Sequence, residues 1–182
     1  NFTRKKIPGY SNISLQVVNV RSSILPKNRL DLVKAARELH ATHLLFLDSD
    51  QTFPPDVVHR LATHHELIVA ANIATKQFPA NATARAFDPE NPKGSVVYTD
   101  PESTGKQQVW RVGTGVMLVN MQVFDRVQGD LWSMKYLPEV DTYQGEDWTF
   151  CQKCEEAGIP IYIDHDLSKQ IGHVGDFEFT HD

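Results

Sequence analysis

The sequence predicts an α/β domain in which a mostly parallel sheet is flanked by helices and interrupted by a loop-rich insertion. Two observations predict this class. In the first half of the chain, short apolar runs of strand length alternate with segments of helical periodicity. Residues 76–108 are instead rich in Pro, Asn, Asp, Gly and Lys. Alternation with short links is typical of βαβ units, whose strands run parallel.

The elements of the first half follow in order. Residues 13–20 are apolar and β-branched, which predicts a strand. Apolar side chains in residues 30–39 recur at helical spacing among charged ones, which predicts an amphipathic helix. Residues 44–47 are a continuous apolar run, typical of a strand covered on both faces. The prolines at 54 and 55 fit the first turn of a helix, and residues 67–71 predict the next strand.

The second half contains further predicted elements. Residues 96–98 and 109–112 are expected to be partner strands at the insertion. The others are a strand at 116–119, a short helix at 121–127, a helix at 148–157 and a strand at 159–163. No convincing linker divides the pattern, so residues 1–182 are predicted to form a single domain.

Composition excludes several classes of protein. The net charge of −5 argues against a bulk electrostatic grip on nucleic acid or anionic lipid, although a local basic patch stays compatible with it. No apolar run approaches the roughly 18 residues of a membrane span. Cys151 and Cys154 are too few for a disulfide scaffold and lie inside a predicted helix, so we interpret them as packing or surface residues in a reducing compartment.

Two carboxylates, Asp48 and Asp50, follow the strand at 44–47. Ligands of open α/β sheets gather beyond the carboxyl ends of strands. Oxygen donors at this spacing suit Mg²⁺ or Mn²⁺ with open positions for phosphate oxygens. The alternative is an Asp-rich turn that caps the following helix.

Two further motifs carry polar groups suited to chemistry. Glu146 and Asp147 precede a predicted helix, where they are either an acidic pair stabilised by the helix dipole or a general base aimed into a cleft. His173 lies between Gly172 and the Val174-Gly175 pair, where backbone can approach closely. It is either a metal ligand or an ordinary surface histidine.

In their order along the chain, these motifs resemble those of GT-A glycosyltransferases. A strand-terminal Asp-x-Asp is followed by Gly113-Thr114-Gly115 before a buried strand, by Gly-Glu-Asp-Trp before a helix, and by a late Gly-His. The resemblance is to the small, family-2-like enzymes of bacteria and bacteriophages, and it covers residues 13–175. It implies a GT-A (Rossmann-like) fold and metal-dependent transfer of a sugar from a UDP- or GDP-sugar to an acceptor hydroxyl. Inversion is the expected outcome, and retention stays open because some retaining relatives share similar acidic motifs.

The resemblance also implies roles for individual residues. Mn²⁺ or Mg²⁺ would be bound by Asp48, Asp50 and His173, and the catalytic base would be Asp147 or else Glu146. The acceptor would be a glycan or a modified nucleic acid, in the cytoplasm of a bacterial or phage-infected host cell. The donor-binding residues would be Arg29, Ser49 and Lys76, and the acceptor-binding residues Gly113, Thr114, Gly115 and Trp148.

One feature departs from the family. Its members open with a strand and a helix whose first loop holds the nucleotide, whereas here Pro8, Gly9 and Tyr10 lead into what would be the second strand. We therefore expect that this chain lacks the opening unit or holds the nucleotide differently. Two alternatives stay open: a non-catalytic module that binds a nucleotide-sugar or glycan, and another metal-dependent phosphoryl or nucleotidyl transferase.

Overall fold

The structure of this chain is a computed structural model that describes residues 4–7, 10–175 and 178–180. Pro8 and Gly9, part of the predicted departure from the family, lie outside these residues. Among the described residues, no helix combines the length and the apolar character that a membrane crossing requires. The helices are α1 (Leu25–Glu38), α2 (Val57–Thr63), α3 (Val123–Arg126), α4 (Glu146–Glu156) and α5 (His165–Ser168), with a 3₁₀ turn at Pro138–Val140.

The strands are short and spread over the whole described chain. They are β1 (Arg4–Ile7), β2 (Tyr10–Gln16), β3 (His43–Leu47), β4 (Gln51–Thr52), β5 (Ile68–Ala70), β6 (Arg85–Ala86), β7 (Ser95–Val96), β8 (Lys106–Val109), β9 (Val116–Asn120), β10 (Lys135–Leu137), β11 (Thr142–Gln144), β12 (Ile161–Asp164), β13 (Gly172–Val174) and β14 (Glu178–Phe179).

The central sheet is mixed, and the predicted mostly parallel, Rossmann-like sheet is wrong. Its strand order is β3-β9-β5-β12-β8, and of these described pairs only β5 with β12 is parallel. Strand β9 lies between β3 and β5 and runs antiparallel to both. A buried apolar run looks the same in either direction, so the apolar pattern alone could not show that the chain re-enters the sheet in the opposite sense.

The described residues also form smaller antiparallel sheets, and these differ from the predicted pairing. Strand β7 pairs with β6, whereas β8 pairs with β12 at the edge of the central sheet, so the expected pairing of residues 96–98 with 109–112 is wrong. The other small sheets are β1-β2, β10-β11 and β14-β13-β4. Helix α1 begins at Leu25, earlier than the predicted start at 30, because Pro26 fits its first turn.

Both faces of the central sheet are buried. Successive side chains of a strand point to opposite faces, and β9 shows this clearly. Met117 packs in a cluster with Phe150 of α4, whereas Val116 and Leu118 pack in a second cluster with Leu61 of α2. Because both faces are covered, polar side chains that act on a ligand are expected at the ends of the strands.

The turn between β6 and β7 depends on a glycine, which gives a first testable prediction. Gly94 has a φ of +66°, and a Cβ atom there would lie 2.5 Å from the Ala86 carbonyl oxygen. Gly105 has a similar φ of +69°, but its Cβ would meet nothing within 4 Å. We expect Gly105→Ala to lower the free energy of unfolding by about 1 kcal/mol through its left-handed backbone. Gly94→Ala should cost about 1–3 kcal/mol more because of the clash. Urea denaturation measures both, and equal losses would show that the clash is absent.

Candidate active site

The ends of three neighbouring strands lie together at one end of the central sheet. Strands β3 and β5 end there, and β9, which runs in the opposite direction, begins there. The backbone N–H of Asp48 donates to the carbonyl oxygen of Gly115 at 2.9 Å, and the N–H of Ala71 donates to that of Val116 at 2.9 Å. This end of the sheet therefore brings the Asp-x-Asp motif next to the predicted acceptor-side segment, Gly113-Thr114-Gly115.

A buried arginine connects the two acidic motifs. Arg29, in the second turn of α1, is 4% exposed. Its two terminal nitrogens donate to the two carboxylate oxygens of Asp48, at 2.7 Å and 3.0 Å. Its Nε lies 3.5 Å from Oε1 of Glu146, an ion-pair distance. Asp48 and Glu146, predicted for the metal side and the base side, are thus two partners of one cation.

The two carboxylates of this cluster stabilise the charged form of Arg29. Burial acts to lower the pKa of Arg29, but its hydrogen bonds and charge interactions with Asp48 and Glu146 outweigh burial and raise it. Glu146 is itself only 7% exposed, so its carboxylate has little other solvation. A single buried cation pairs with both carboxylates, so loss of this cation would leave two carboxylates without their common partner.

Asp50 lies in a second cluster, with Lys76 and His173. The Lys76 ammonium donates to Asp50 Oδ2 at 2.7 Å, and Nε2 of His173 lies 3.4 Å from the same oxygen. Partial burial acts to raise the pKa of Asp50, but the hydrogen bond and charge of Lys76 and the charge of His173 lower it. The structure therefore brings together one predicted donor-binding residue and two predicted metal ligands.

The orientation of His173 suits a metal ligand. Its Nδ1 lies 2.8 Å from the carbonyl oxygen of Ala74, which can only accept, so Nδ1 carries the proton. In the neutral form of the ring, Nε2 would carry the lone pair and would face Asp50. Metal-ligating histidines are commonly oriented in this way, through a hydrogen bond from the other ring nitrogen. No group of three or more His, Cys, Asp or Glu side chains in the described part of the chain could hold a metal. Asp50 and His173 nevertheless fit a cation that takes its other ligands from phosphate and water.

Among the acidic side chains of this region, Asp147 has the most strongly shifted pKa. Burial and the neighbouring charge of Glu146 raise the pKa of Asp147 to about 6. Its Oδ1 accepts a hydrogen bond from the N–H of Trp148 at 2.7 Å. A Cβ atom at residue 145 would lie 2.7 Å from that oxygen, so a side chain other than that of Gly145 would displace the carboxylate.

The remaining predicted residues lie around these clusters. Thr114 is 2% exposed, and its hydroxyl oxygen has no hydrogen-bond partner among the described residues. A Cβ atom on Gly115 would lie 2.7 Å from Ile73 Cδ1, so a larger residue would displace the isoleucine, whereas Asp48 Oδ2 would be at an ordinary contact distance of 3.4 Å. Ser49 is exposed between the two aspartates. Gly113 packs near Thr83, and Trp148 is partly buried at the start of α4.

Two polar residues of the site region were missed by sequence reasoning. Gln51 directly follows the Asp-x-Asp motif, is 9% exposed, and has a side-chain oxygen without a hydrogen-bond partner among the described residues. Asn72 is fully buried after β5, where its side chain bonds to Val97, Thr99 and Ala84. Their position in the sequence could have identified them, because both residues follow strands that finish at this end of the sheet.

The cysteines play no part in this chemistry. Cys151 and Cys154 are buried and free, and burial raises the pKa of the Cys151 thiol to about 12. Of the two predicted interpretations, packing residues or surface residues, the first is confirmed. Both belong to the larger hydrophobic cluster.

Comparisons with known proteins bear on the fold. A scan against protein-family models and a search of curated proteins found no match. Among solved structures, the chain is similar to the crystal structure of A197 from STIV, with a TM-score of 0.58 and 15% sequence identity. The match covers 88% of this chain and 72% of A197. At this identity, the likeness concerns the fold alone.

Proposed function

We propose that this chain is a metal-dependent glycosyltransferase that moves a sugar from a nucleotide-sugar to an acceptor hydroxyl, with inversion. The observation that carries the proposal is the bridge from Asp48 through Arg29 to Glu146. The bridge joins the Asp-x-Asp motif, which suits a cation and a diphosphate, to the acidic pair Glu146 and Asp147, which suits a general base. Asp147, next to Glu146, has a pKa raised to about 6, close to what a base needs near neutral pH.

In this proposal, Asp147 is the base that accepts the proton of the acceptor hydroxyl. The resulting oxygen nucleophile forms a bond to the anomeric carbon on the face opposite the diphosphate. The bond between that carbon and the diphosphate oxygen breaks, and a nucleoside diphosphate leaves. Glu146 is less suited to be the base because it is nearly buried and paired with Arg29.

On the donor side, Asp50 and His173 would hold the Mn²⁺ or Mg²⁺ ion, with Asp48 as the further predicted ligand. The cation would neutralise charge that builds on the departing diphosphate. Lys76 would also act on the donor side, because its ammonium pairs with Asp50 and its side chain is 36% exposed. In the presence of a donor, it can turn from Asp50 to a phosphate oxygen.

The test is release of nucleoside diphosphate from a panel of UDP- and GDP-sugars, with and without Mn²⁺. We expect Mn²⁺-dependent release that falls about 100-fold or more in Asp50→Ala, because a charge next to the leaving group is lost. The matched control is Asp125→Ala, an exposed aspartate of α3 that pairs with Arg37. It should behave as the unmodified chain.

Other outcomes separate the alternatives. Transfer of a phosphoryl or nucleotidyl group, without a glycosidic product, would assign the site to another class of transferase. Donor binding with no turnover under any condition would favour a binding module without catalysis. Release that is equal in Asp50→Ala and Asp125→Ala would remove Asp50 from the mechanism.

A further inference from the structure

A cavity of about 530 Å³ lies beside α4, within the size range of small-ligand sites. Cys151 and Glu155 of α4 line it. Residues four apart lie on the same face of a helix, so Asp147, Cys151 and Glu155 share one face. The cavity is therefore on the side of α4 that carries the proposed base, one to two turns further along the helix.

A row of aromatic rings leads from the base into this cavity. Trp148, the residue after Asp147, has its ring centroid 6.2 Å from that of Trp110. Trp110 in turn lies 5.5 Å from Phe87, measured between centroids. Trp110 and Phe87 both line the cavity, and Phe87 is 65% exposed. An aromatic ring that is this exposed to solvent at the wall of a cavity is available to pack against the apolar face of a ligand.

The wall of the cavity is held in place by polar contacts. The indole N–H of Trp110 donates to Glu155 Oε2 at 3.0 Å, and a guanidinium nitrogen of Arg111 donates to the same oxygen at 2.7 Å. The Arg111 guanidinium also lies 3.9 Å from the centre of the Trp110 ring. These contacts fix the indole before any ligand binds, which lowers the entropic cost of binding.

Hydrogen-bonding groups border the aromatic surface. Within the described part of the chain, both donors to the Glu155 carboxylate, Trp110 and Arg111, use Oε2, which leaves Oε1 of this half-exposed carboxylate to a ligand. The Gln108 side chain is exposed on β8 and lines the same cavity. An apolar ring surface bordered by a carboxylate and an amide matches a sugar, which has an apolar C–H face and many hydroxyls. The carboxylate disfavours a phosphate backbone.

We propose that this cavity is a second acceptor subsite, which binds a neutral sugar unit next to the one that reacts beside Asp147. This inference rests on the proposed glycosyltransferase function, and it makes the acceptor an oligosaccharide. The row from Trp148 to Phe87 is the path along which the acceptor extends. The subsite sets the preference for chain length, while the chemistry stays at Asp147.

The experiment measures binding without donor or metal, so that it does not depend on turnover. The probes are neutral α- and β-linked oligosaccharides of one to four glucose, galactose, mannose or N-acetylglucosamine units. Binding is followed by tryptophan fluorescence and by saturation-transfer NMR. At least one oligosaccharide should bind more tightly than its single sugar. Phe87→Ala should weaken that oligosaccharide about 5-fold and leave the single sugar unchanged.

Tyr98→Ala is the matched control, because Tyr98 is a similarly exposed aromatic residue that does not line the cavity. It should leave every affinity unchanged. The proposal is overturned if no oligosaccharide in the panel binds better than its single sugar, or if Phe87→Ala has no greater effect than the control. Binding that depends on Phe87 in a chain that turns over no donor would contradict the proposed enzyme while retaining the glycan site.

Discussion

Replacing Asp147 by Asn is expected to abolish sugar transfer and, at the same time, to make the folded chain more stable. The variant keeps the side-chain oxygen that accepts from the Trp148 N–H but cannot take a proton from the acceptor. Loss of a general base lowers turnover by about 10²–10⁴-fold. Donor binding should be retained, because the donor-side groups Asp50, Lys76 and His173 are untouched.

The stability gain has a defined pH dependence. Folding raises the pKa of Asp147 to about 6 from its usual 3.8, so the fold loses stability as the pH rises from about 4, and the loss is complete above about pH 6. The free energy of unfolding of Asp147→Asn should exceed that of the unmodified chain by about 1–2 kcal/mol at pH 8. The difference should shrink as the pH falls through 6 and the native carboxyl becomes protonated. Turnover of the unmodified chain should fall over the same interval.

Chemical denaturation at pH 8 and pH 5 measures this gain, and Asp125→Asn is a control at an exposed carboxylate. A loss of stability in Asp147→Asn at pH 8 would show that the carboxylate has a structural role instead. Unchanged turnover would identify another base, and Glu146 would be the next residue to replace.

The largest loss of stability is expected from Arg29→Ala. The substitution removes the cation that both Asp48 and Glu146 contact, and leaves the buried Glu146 carboxylate and the partly exposed Asp48 carboxylate without it. Removing one member of a buried ion-pair cluster costs about 3–5 kcal/mol. Arg29→Lys should recover only part of this, because an ammonium cannot reproduce the two-pronged contact with Asp48 and also reach Glu146.

Urea denaturation of Arg29→Ala and Arg29→Lys measures these losses. Lys153→Ala is the matched control, because Lys153 forms an exposed ion pair with Glu156. It should change stability by at most about 1 kcal/mol. If Arg29→Ala costs no more than this control, the bridge between the two acidic motifs does not contribute to the fold.

The sequence was sufficient to locate the main elements. Strand β9 and helix α4 lie within two residues of their predicted bounds, since a continuous apolar run and a glycine stop are local signals. The direction of β9 was not predictable in this way. It depends on where residues 72–115 return the chain to the sheet, and that path is set by contacts between distant segments.

The candidate site shows the same division between local and distant information. Asp48, Asp50, Glu146 and Asp147 were identified from short motifs. Arg29 was named for a different reason, as a donor-binding residue, and its bridge between two motifs was not predicted. Nothing in the spacing shows that α1 packs where one side chain contacts residues 19 and 117 positions further along the chain.

The hydrogen bond between the Ala71 N–H and the Val116 carbonyl has an evolutionary consequence. The chain leaves strand β5 and returns as β9 at almost the same point, and the segment between them adds only β8 to the edge of the central sheet. The loops on either side of β8 can therefore change length while the two anchors stay together. The entropy of closing such a segment rises only slowly with its length. Lys76, Phe87 and Trp110 all lie within it. Insertions and deletions there can therefore alter which molecules the site accepts, while β3, β5 and β9 are inherited unchanged.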